Sequence, residues 1–308
     1  MDMIQSVFSS FLALVPVTLA QSAILSFIVL GIMIPFRMLN FPDLTSEGSF
    51  PLGGCVCGVL LAAGWPPLPA MIVAVAAGFL AGLSTAYIHL RFRIHTLLAG
   101  ILVMTMLYSI NLRIMGRSNL SVFGSPTVFD WAPGLQSGFP ASKILIAGAL
   151  AVLVLIGLNF YFKTEKGVAM RAVGSNPEMA EAQGINVWAA TLAGVGLANA
   201  FTAASGALMV QSQGFADVNM GLGILINGLA ALMIGEAIVG KQTVLRQLAA
   251  PFVGSVVYYQ LVSLCLAAGM PPPDLKLATG LFVLIMLALP TLRGGQKAST
   301  PVRETVRE

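Results

Sequence analysis

The stretch KTEKGVAMRAVGSNPEMAEAQG, Lys163–Gly184, is the longest run without membrane character between two apolar segments of this chain. It carries Lys163, Glu165, Lys166, Arg171, Glu178 and Glu181. Its middle reads as a short helix with both ends marked. Asn176 suits the N-cap, where a side-chain oxygen accepts an orphan N–H of the first turn. Pro177 suits the first helical position, and Glu178 faces the positive end of the dipole. The helix then takes in Met179, Ala180, Glu181, Ala182 and Gln183, and Gly184 supplies the positive φ that follows a helix end. A helix of about two turns is marginal alone in water. It must pack on the chain's own base or on a partner. A plain solvated loop is the alternative.

Outward from that stretch the chain turns apolar. It has 308 residues, of which 57% are hydrophobic and 9% charged, against roughly 25% charged in soluble domains. Several runs reach the ~20 residues that cross a bilayer. The fold class is therefore all-α, a polytopic transmembrane helical bundle forming one domain over 1–308. Its loop is 163–186 and its tail 291–308. The net charge of +4 is loop bias, because no basic patch interleaved with aromatics points to nucleic acid. MDMIQSVFSS lacks the basic start of a signal peptide, so the first run is expected to be retained. Cys55, Cys57 and Cys265 lie in apolar runs and read as packing residues.

Nine spans are expected: Val7–Pro35, Leu44–Ala63, Leu68–Leu90, Ile94–Met115, Ser142–Phe162, Val187–Val210, Gly221–Val239, Val244–Ala268 and Leu275–Pro290. Eight or ten remain open. The second opens on polar residues and reads as a broken or half-length helix. With Lys163–Gly184 in the cytoplasm, twelve of the Lys and Arg residues fall inside, among them Arg37, Arg91, Arg93, Lys241 and Arg246. Only Arg113, Arg117, Lys143 and Lys276 fall outside. Basic loops stay cytoplasmic, which puts the N-terminus outside and the C-terminus inside. Gly54/Gly58 and Gly78/Gly82 have the spacing that brings membrane helices close. The long connection Gly116–Ala141, with Phe129 and Trp131, reads as a docking surface or an interfacial segment.

NFPDLTSEGSFPLGG from Asn40 echoes GFADVNMGLGILING from Gly214. Phe41 meets Phe215, Asp43 meets Asp217, Thr45 meets Asn219 and Gly54 meets Gly228. The two copies enter their helices from opposite sides, as in an inverted repeat whose broken helices line a transport path. Chance similarity is the other reading. Asp43, Glu47, Ser49, Asp217, Asn219 and Asn227 are the candidate path residues, with both aspartates expected at helix N-caps.

Catalytic chemistry is not indicated. Gly235–Lys241 has phosphate-loop spacing, but Gln242 follows where Ser or Thr is needed, and no strand precedes it. His89 and His95 have no carboxylate or cysteine at ligand spacing, so no metal site is expected and both read as a solvated face. Asp43 and Asp217 lie on opposite sides, too far apart for a shared-proton pair. No cofactor is called for. The interior has few ionisable groups, which favours a conduit driven by a partner over an ion-coupled carrier. A structural or assembly role has no specific support.

Three groups of residues carry a resemblance. One is Gly167-x-Ala169-x-Arg171-Ala172-Val173-Gly174, Asn176-Pro177-x-Met179-Ala180 and Gly184-Ile185. It resembles the cytoplasmic loop of permease subunits of ATP-binding cassette importers, of the branched-chain amino acid and ribose type. Arg37–Thr45 with Gly48–Gly53 is similar to the tryptophan/tyrosine-type transport permeases. Ala204–Leu208 and Ile234-Gly235-Glu236 also fit, so the resemblance runs from Gly31 to Leu292. It implies a bacterial inner-membrane subunit that works as a pair, most simply a homodimer, surrounded by membrane lipids. Two ATPase subunits would lie below, holding the ATP, and a substrate-binding protein outside. Pro177–Gln183 would be the coupling helix on the ATPase, with Met179 and Ala180 as its packing surface. An amino acid of aromatic type is the implied solute; an ion-coupled secondary transporter is the runner-up.

Overall fold

The computed structural model describes residues 2–131, 139–271, 274, 275, 277, 279–281 and 284. Within them ten α-helices follow one another: α1 Asp2–Met33, α2 Ser46–Ala62, α3 Pro67–Phe92, α4 Thr96–Met115, α5 Phe139–Tyr161, α6 Glu165–Ser175, α7 Pro177–Ala182, α8 Val187–Gln213, α9 Ile224–Val239 and α10 Val244–Ala267. The molecule is a polytopic helical bundle, and among the described residues seven helical segments are long and apolar enough to cross a membrane. The expected half-length second span is α2, whose 17 residues rise about 26 Å, short of the ~30 Å hydrocarbon core. The ninth expected span, Leu275–Pro290, lies largely outside the described residues, and the tail 291–308 wholly so.

Pro35 does not end the first span. The chain continues through a π-helical turn, Ile34–Met38, closed by Leu39 N–H on the Ile34 carbonyl at 3.2 Å. Proline lacks the N–H that a regular α-turn needs there, and a wider turn keeps the neighbouring carbonyls bonded.

α8 is the central post. Its sequence, VWAATLAGVGLANAFTAASGALMVQSQ, is dominated by small residues, and α1, α2 and α3 all pack on it. Helices in lipid gain little from hydrophobic burial against one another; close approach of small residues brings them together. The glycines of the facing helices meet α8 backbone directly. A methyl group on Gly53 would overlap Ala203, on Gly78 the Asn199 carbonyl and Ala203, and on Gly82 the Val195 carbonyl. The spaced pairs read from sequence thus sit in helix contacts, Gly54 and Gly58 against Val210 of α8 and Gly78 and Gly82 against its backbone. α5, by contrast, exposes Leu145, Val152, Leu153, Ile156 and Phe160, an apolar outer face suited to lipid.

The two ends of the bundle differ. At one end the strands β1, Asn119–Ser121, and β2, Phe215–Asp217, pair antiparallel with Leu120 opposite Ala216. At the other lie α6 and α7. The sequence predicts one short helix between Lys163 and Gly184; in the structure α6 precedes it, opened by Thr164 Oγ1 accepting the Gly167 N–H at 3.5 Å. His89 is likewise not simply solvated. Its Nδ1 lies 2.6 Å from the Ile94 carbonyl, and its ring meets Phe41 edge-on at 5.1 Å. His95 opens α4, its Nδ1 accepting the Leu97 N–H at 3.4 Å.

The glycine contacts set a test. Gly78→Val should cost at least the ~1–3 kcal/mol of an overpacked core, seen as a lower thermal midpoint and less monodisperse protein. Gly148→Val, in α5 with open space around it, should be near neutral. Equal behaviour of the two variants would remove close packing on α8 as the reason for Gly78.

Candidate functional site

The two Phe-x-Asp segments adopt the same local turn. Asp43 Oδ1 accepts the Thr45 N–H at 2.9 Å, and Asp217 Oδ1 accepts the Asn219 N–H at 2.7 Å. A carboxylate bonded to the backbone two residues on mimics a turn and halts the chain before a helix. The expected N-cap role is corrected for Asp43; Asp217 keeps it, but for a 3-10 turn rather than for α9. The residue capping α2 is Thr45, without a side-chain cap bond, and the one capping α9 is Gly223, at φ +80°. Asp217 caps only the 3-10 turn Val218–Gly221. In each case the turn closes ahead of the helix rather than on it.

The two helices begin beside each other inside the bundle. A side chain on Gly221 would overlap the Glu47 carbonyl and Pro51. The half-buried Glu47 carboxylate is turned to the backbone N–H groups of Gly223 and Leu225, at the start of α9. A carboxylate there meets orphan N–H groups and the positive end of the dipole. From this shared level the helices run to opposite ends. α2 runs to the strand end, where Ser125 Oγ donates to the Leu61 carbonyl at 3.4 Å. α9 runs to the α6–α7 end, where Glu236 meets Arg37.

A buried polar network holds the first break. Asp43 has no exposed surface, and its Oδ2 accepts from Asn199 Nδ2 at 2.8 Å. Asn199 Oδ1 accepts from Ser49 Oγ at 2.7 Å. Thr45 and Thr85 share a hydrogen bond of 2.7 Å, and Asn111 Nδ2 donates to the Gly48 carbonyl at 3.3 Å. Asp43, Asn199 and Thr45 each find a partner on another element, whereas Asn111 Oδ1 and the Ser46 hydroxyl are buried with no partner among the described residues, although an unpaired polar group costs roughly 2–7 kcal/mol in apolar surroundings. Asn199 and Asn111 are visible in sequence as polar residues in apolar helices. Thr85 gives no such signal.

The six candidate path residues do not form one cluster. Asp43 and Ser49 meet through Asn199, and Glu47 lies where the helices start. Asp217 stands at the strand end beside Asn119, whose Nδ2 is 3.3 Å from its Oδ2, and Asn219 is exposed there. Asn227 turns toward α10, accepting from the Tyr258 hydroxyl at 2.9 Å.

At the opposite end α7 has the ends read from sequence. Asn176 Oδ1 accepts the Met179 N–H at 3.0 Å, and Gly184 has φ +81°. Its faces differ from expectation. Met179 is 61% exposed, but Ala180 is 4% exposed and belongs to the main core cluster with Met170 and Val173. The outward surface is Glu178, Met179, Glu181, Ala182 and Gln183. A two-turn helix needs one face seated, and Ala180 is that seat. Nearby, Glu236, with its side chain 5% exposed, is bridged by Arg37 at 2.6 Å and Lys241 at 2.9 Å. The bridge ties the π turn to the end of α9. The partners are 199 residues apart, and sequence reading missed the pairing.

Residues 16–289 match the family described as "Branched-chain amino acid transport system / permease component". A tyrosine transport system permease protein of Clostridioides difficile (strain R20291) is 38% identical over 270 residues, 88% of this chain and 89% of that protein. A galactose/methyl galactoside import permease protein of Haemophilus influenzae is 27% identical, covering 75% of this chain and 69% of that one. A nucleoside ABC transporter permease protein of Lactococcus lactis subsp. cremoris is 32% identical over about half of each chain. No solved structure matches.

Substitutions at Asp43 read out the network. Asp43→Asn keeps an acceptor for the Thr45 N–H and should cost about 1 kcal/mol. Asp43→Leu strands Thr45 and Asn199 and should cost more than ~2 kcal/mol. Thermal unfolding of the purified protein measures both. Equal losses would mean that the charge itself is required.

Proposed function

We propose, from the premise that this chain belongs to the branched-chain amino acid transport system permease family, that it forms the translocation path of an ATP-binding cassette importer for a small solute, an amino acid of aromatic type. The observation that carries the reading is the pair of short helices, α2 and α9, that start side by side and run to opposite ends. Broken helices meeting inside a bundle put helix ends and polar groups on a path while backbone groups stay satisfied. Gly235–Lys241 is followed by Gln242 where a phosphate loop needs Ser or Thr, which supports a driving energy supplied by a partner.

In this reading two copies of the chain pair in the bacterial inner membrane, with two ATPase subunits on the side of α6 and α7. The excess of Lys and Arg assigned to that side supports a cytoplasmic location. A binding protein delivers the solute at the strand end. α7 is the coupling helix: it is exposed, capped and seated on the core through Ala180. The solute is an aromatic amino acid, which the likeness to the tyrosine transport system permease supports. The galactose and nucleoside relatives mark how widely solutes vary on one scaffold.

Vesicles carrying the permease with its ATPase, given binding protein outside, should accumulate tyrosine only with ATP trapped inside. Accumulation should survive an uncoupler. Uptake that persists without ATP and collapses with the uncoupler would assign the chain to ion-coupled carriers instead.

The contact has its own test. Met179→Arg should leave membrane abundance unchanged and reduce ATPase co-purification about ten-fold, a loss of about 1.4 kcal/mol. Ala180→Arg should lower abundance as well, because it unseats α7. Full co-purification and transport in Met179→Arg would return α7 to a solvated loop.

A further inference from the structure

At the α6–α7 end a cavity of about 290 Å³ opens between the π turn, α6 and the start of α10. Its polar wall is Arg37, Arg171, Ser175, Gln242, Thr243 and Gln247, and none of the described residues lining it is acidic. Arg171 is under-used. Its Nη2 donates to the Phe162 carbonyl at 3.2 Å, while its Nε is buried with no acceptor. No carboxylate among the described residues pairs with it. Arg37 and Lys241 share a single carboxylate, Glu236. Two cations thus share one anion, and Arg171, the second guanidinium of the cavity wall, has no carboxylate among the described residues. α10 begins at the same cavity, with Thr243 as its N-cap, so first-turn N–H groups and the positive dipole end add to the field.

We propose that this cavity binds a phosphate group, presented by an anionic lipid headgroup or as free phosphate. A guanidinium matches phosphate oxygens through paired donors. The cavity lies near the lower limit of small-molecule sites, which suits a phosphate with an attached glycerol better than a bulky ligand. Basic pockets at the cytoplasmic end of membrane helices take anionic headgroups by this chemistry. A phosphate held by Arg37 and Arg171 joins the π turn to α6. It thereby fastens the α6–α7 unit, through Gly174 packed on Met38 and Leu39, to the chain leading to Asp43. The inference does not depend on which solute is transported.

The experiment uses the full chain, purified and stripped of lipid in an uncharged detergent. One arm titrates sodium phosphate against sodium chloride at matched ionic strength, reading the thermal midpoint and adducts by native mass spectrometry. The other places the protein in nanodiscs of phosphatidylglycerol or phosphatidylcholine and counts the lipids retained. Arg171→Gln removes the donor. Ser175→Glu offers Arg171 an internal carboxylate and should keep a midpoint at or above that of the wild type without phosphate. The expected result is at least ten-fold weaker binding by both variants than by wild type. Loss in the phosphate arm alone identifies the free anion; loss in the lipid arm alone identifies the headgroup. Equal binding by wild type and a folded Ser175→Glu overturns the proposal. So does an absence of binding in both arms, including the case where the ATPase alone covers Arg171.

Discussion

Inside a bilayer there is no water to satisfy an open backbone, and this protein opens its backbone twice. Everything near the two breaks follows from that constraint. Each break closes an aspartate turn on itself, Asp43 on Thr45 and Asp217 on Asn219. The first lies wholly inside the bundle, so its carboxylate also takes Asn199, and Asn199 in turn takes Ser49. The second lies at the strand end, where Asn119 and solvent serve instead. Equivalent turns therefore carry different surroundings. The buried one is bound into three helices; the exposed one is bound to a two-stranded sheet.

Small residues make those surroundings attainable. Asn199 can reach Asp43 and Ser49 together only because α2 and α3 approach α8 at backbone distance over Gly53, Gly78 and Gly82. With ordinary side chains at these positions the helices would stand farther apart, and hydrogen bonds of 2.7–2.8 Å would open. Steric closeness and polar satisfaction are one arrangement here. The Arg37–Glu236–Lys241 bridge does for the far end of α9 what Asn199 does for the start of α2. It fixes a helix end by a bond that leaves neither charge alone, and the loss of a buried charge's partner is costly.

Much of this was legible in the sequence where the signal is local. Apolar runs gave the seven long helices found among the described residues, the polar start of α2 gave its half length, and Asn176, Pro177 and Gly184 gave both ends of α7. The correspondence of Asp43 with Asp217 was visible as a repeated Phe-x-Asp. What was not legible depends on partners far along the chain. Glu236 reads as one more polar residue in a span until Arg37 is beside it. α8 has almost no polar face because it is surrounded, so periodicity could not say which side Asn199 presents. α6 escaped notice because its glycines and charges resemble a loop; packing of Met170 and Val173 makes it a helix. Ala180 was assigned outward because small size fits a partner's groove as well as it fits a core.

α7 separates anchoring from display within six residues. Asn176 and Ala180 hold the helix in place, while the side chains of Glu178, Met179, Glu181 and Ala182 are exposed and, among the described residues, those of Glu178 and Glu181 form no ion pair. Mutational drift at those outward positions is therefore nearly invisible to the fold. Duplicated genes could diverge there without loss of folded protein, so paralogues can differ in this exposed surface while keeping interchangeable membrane cores.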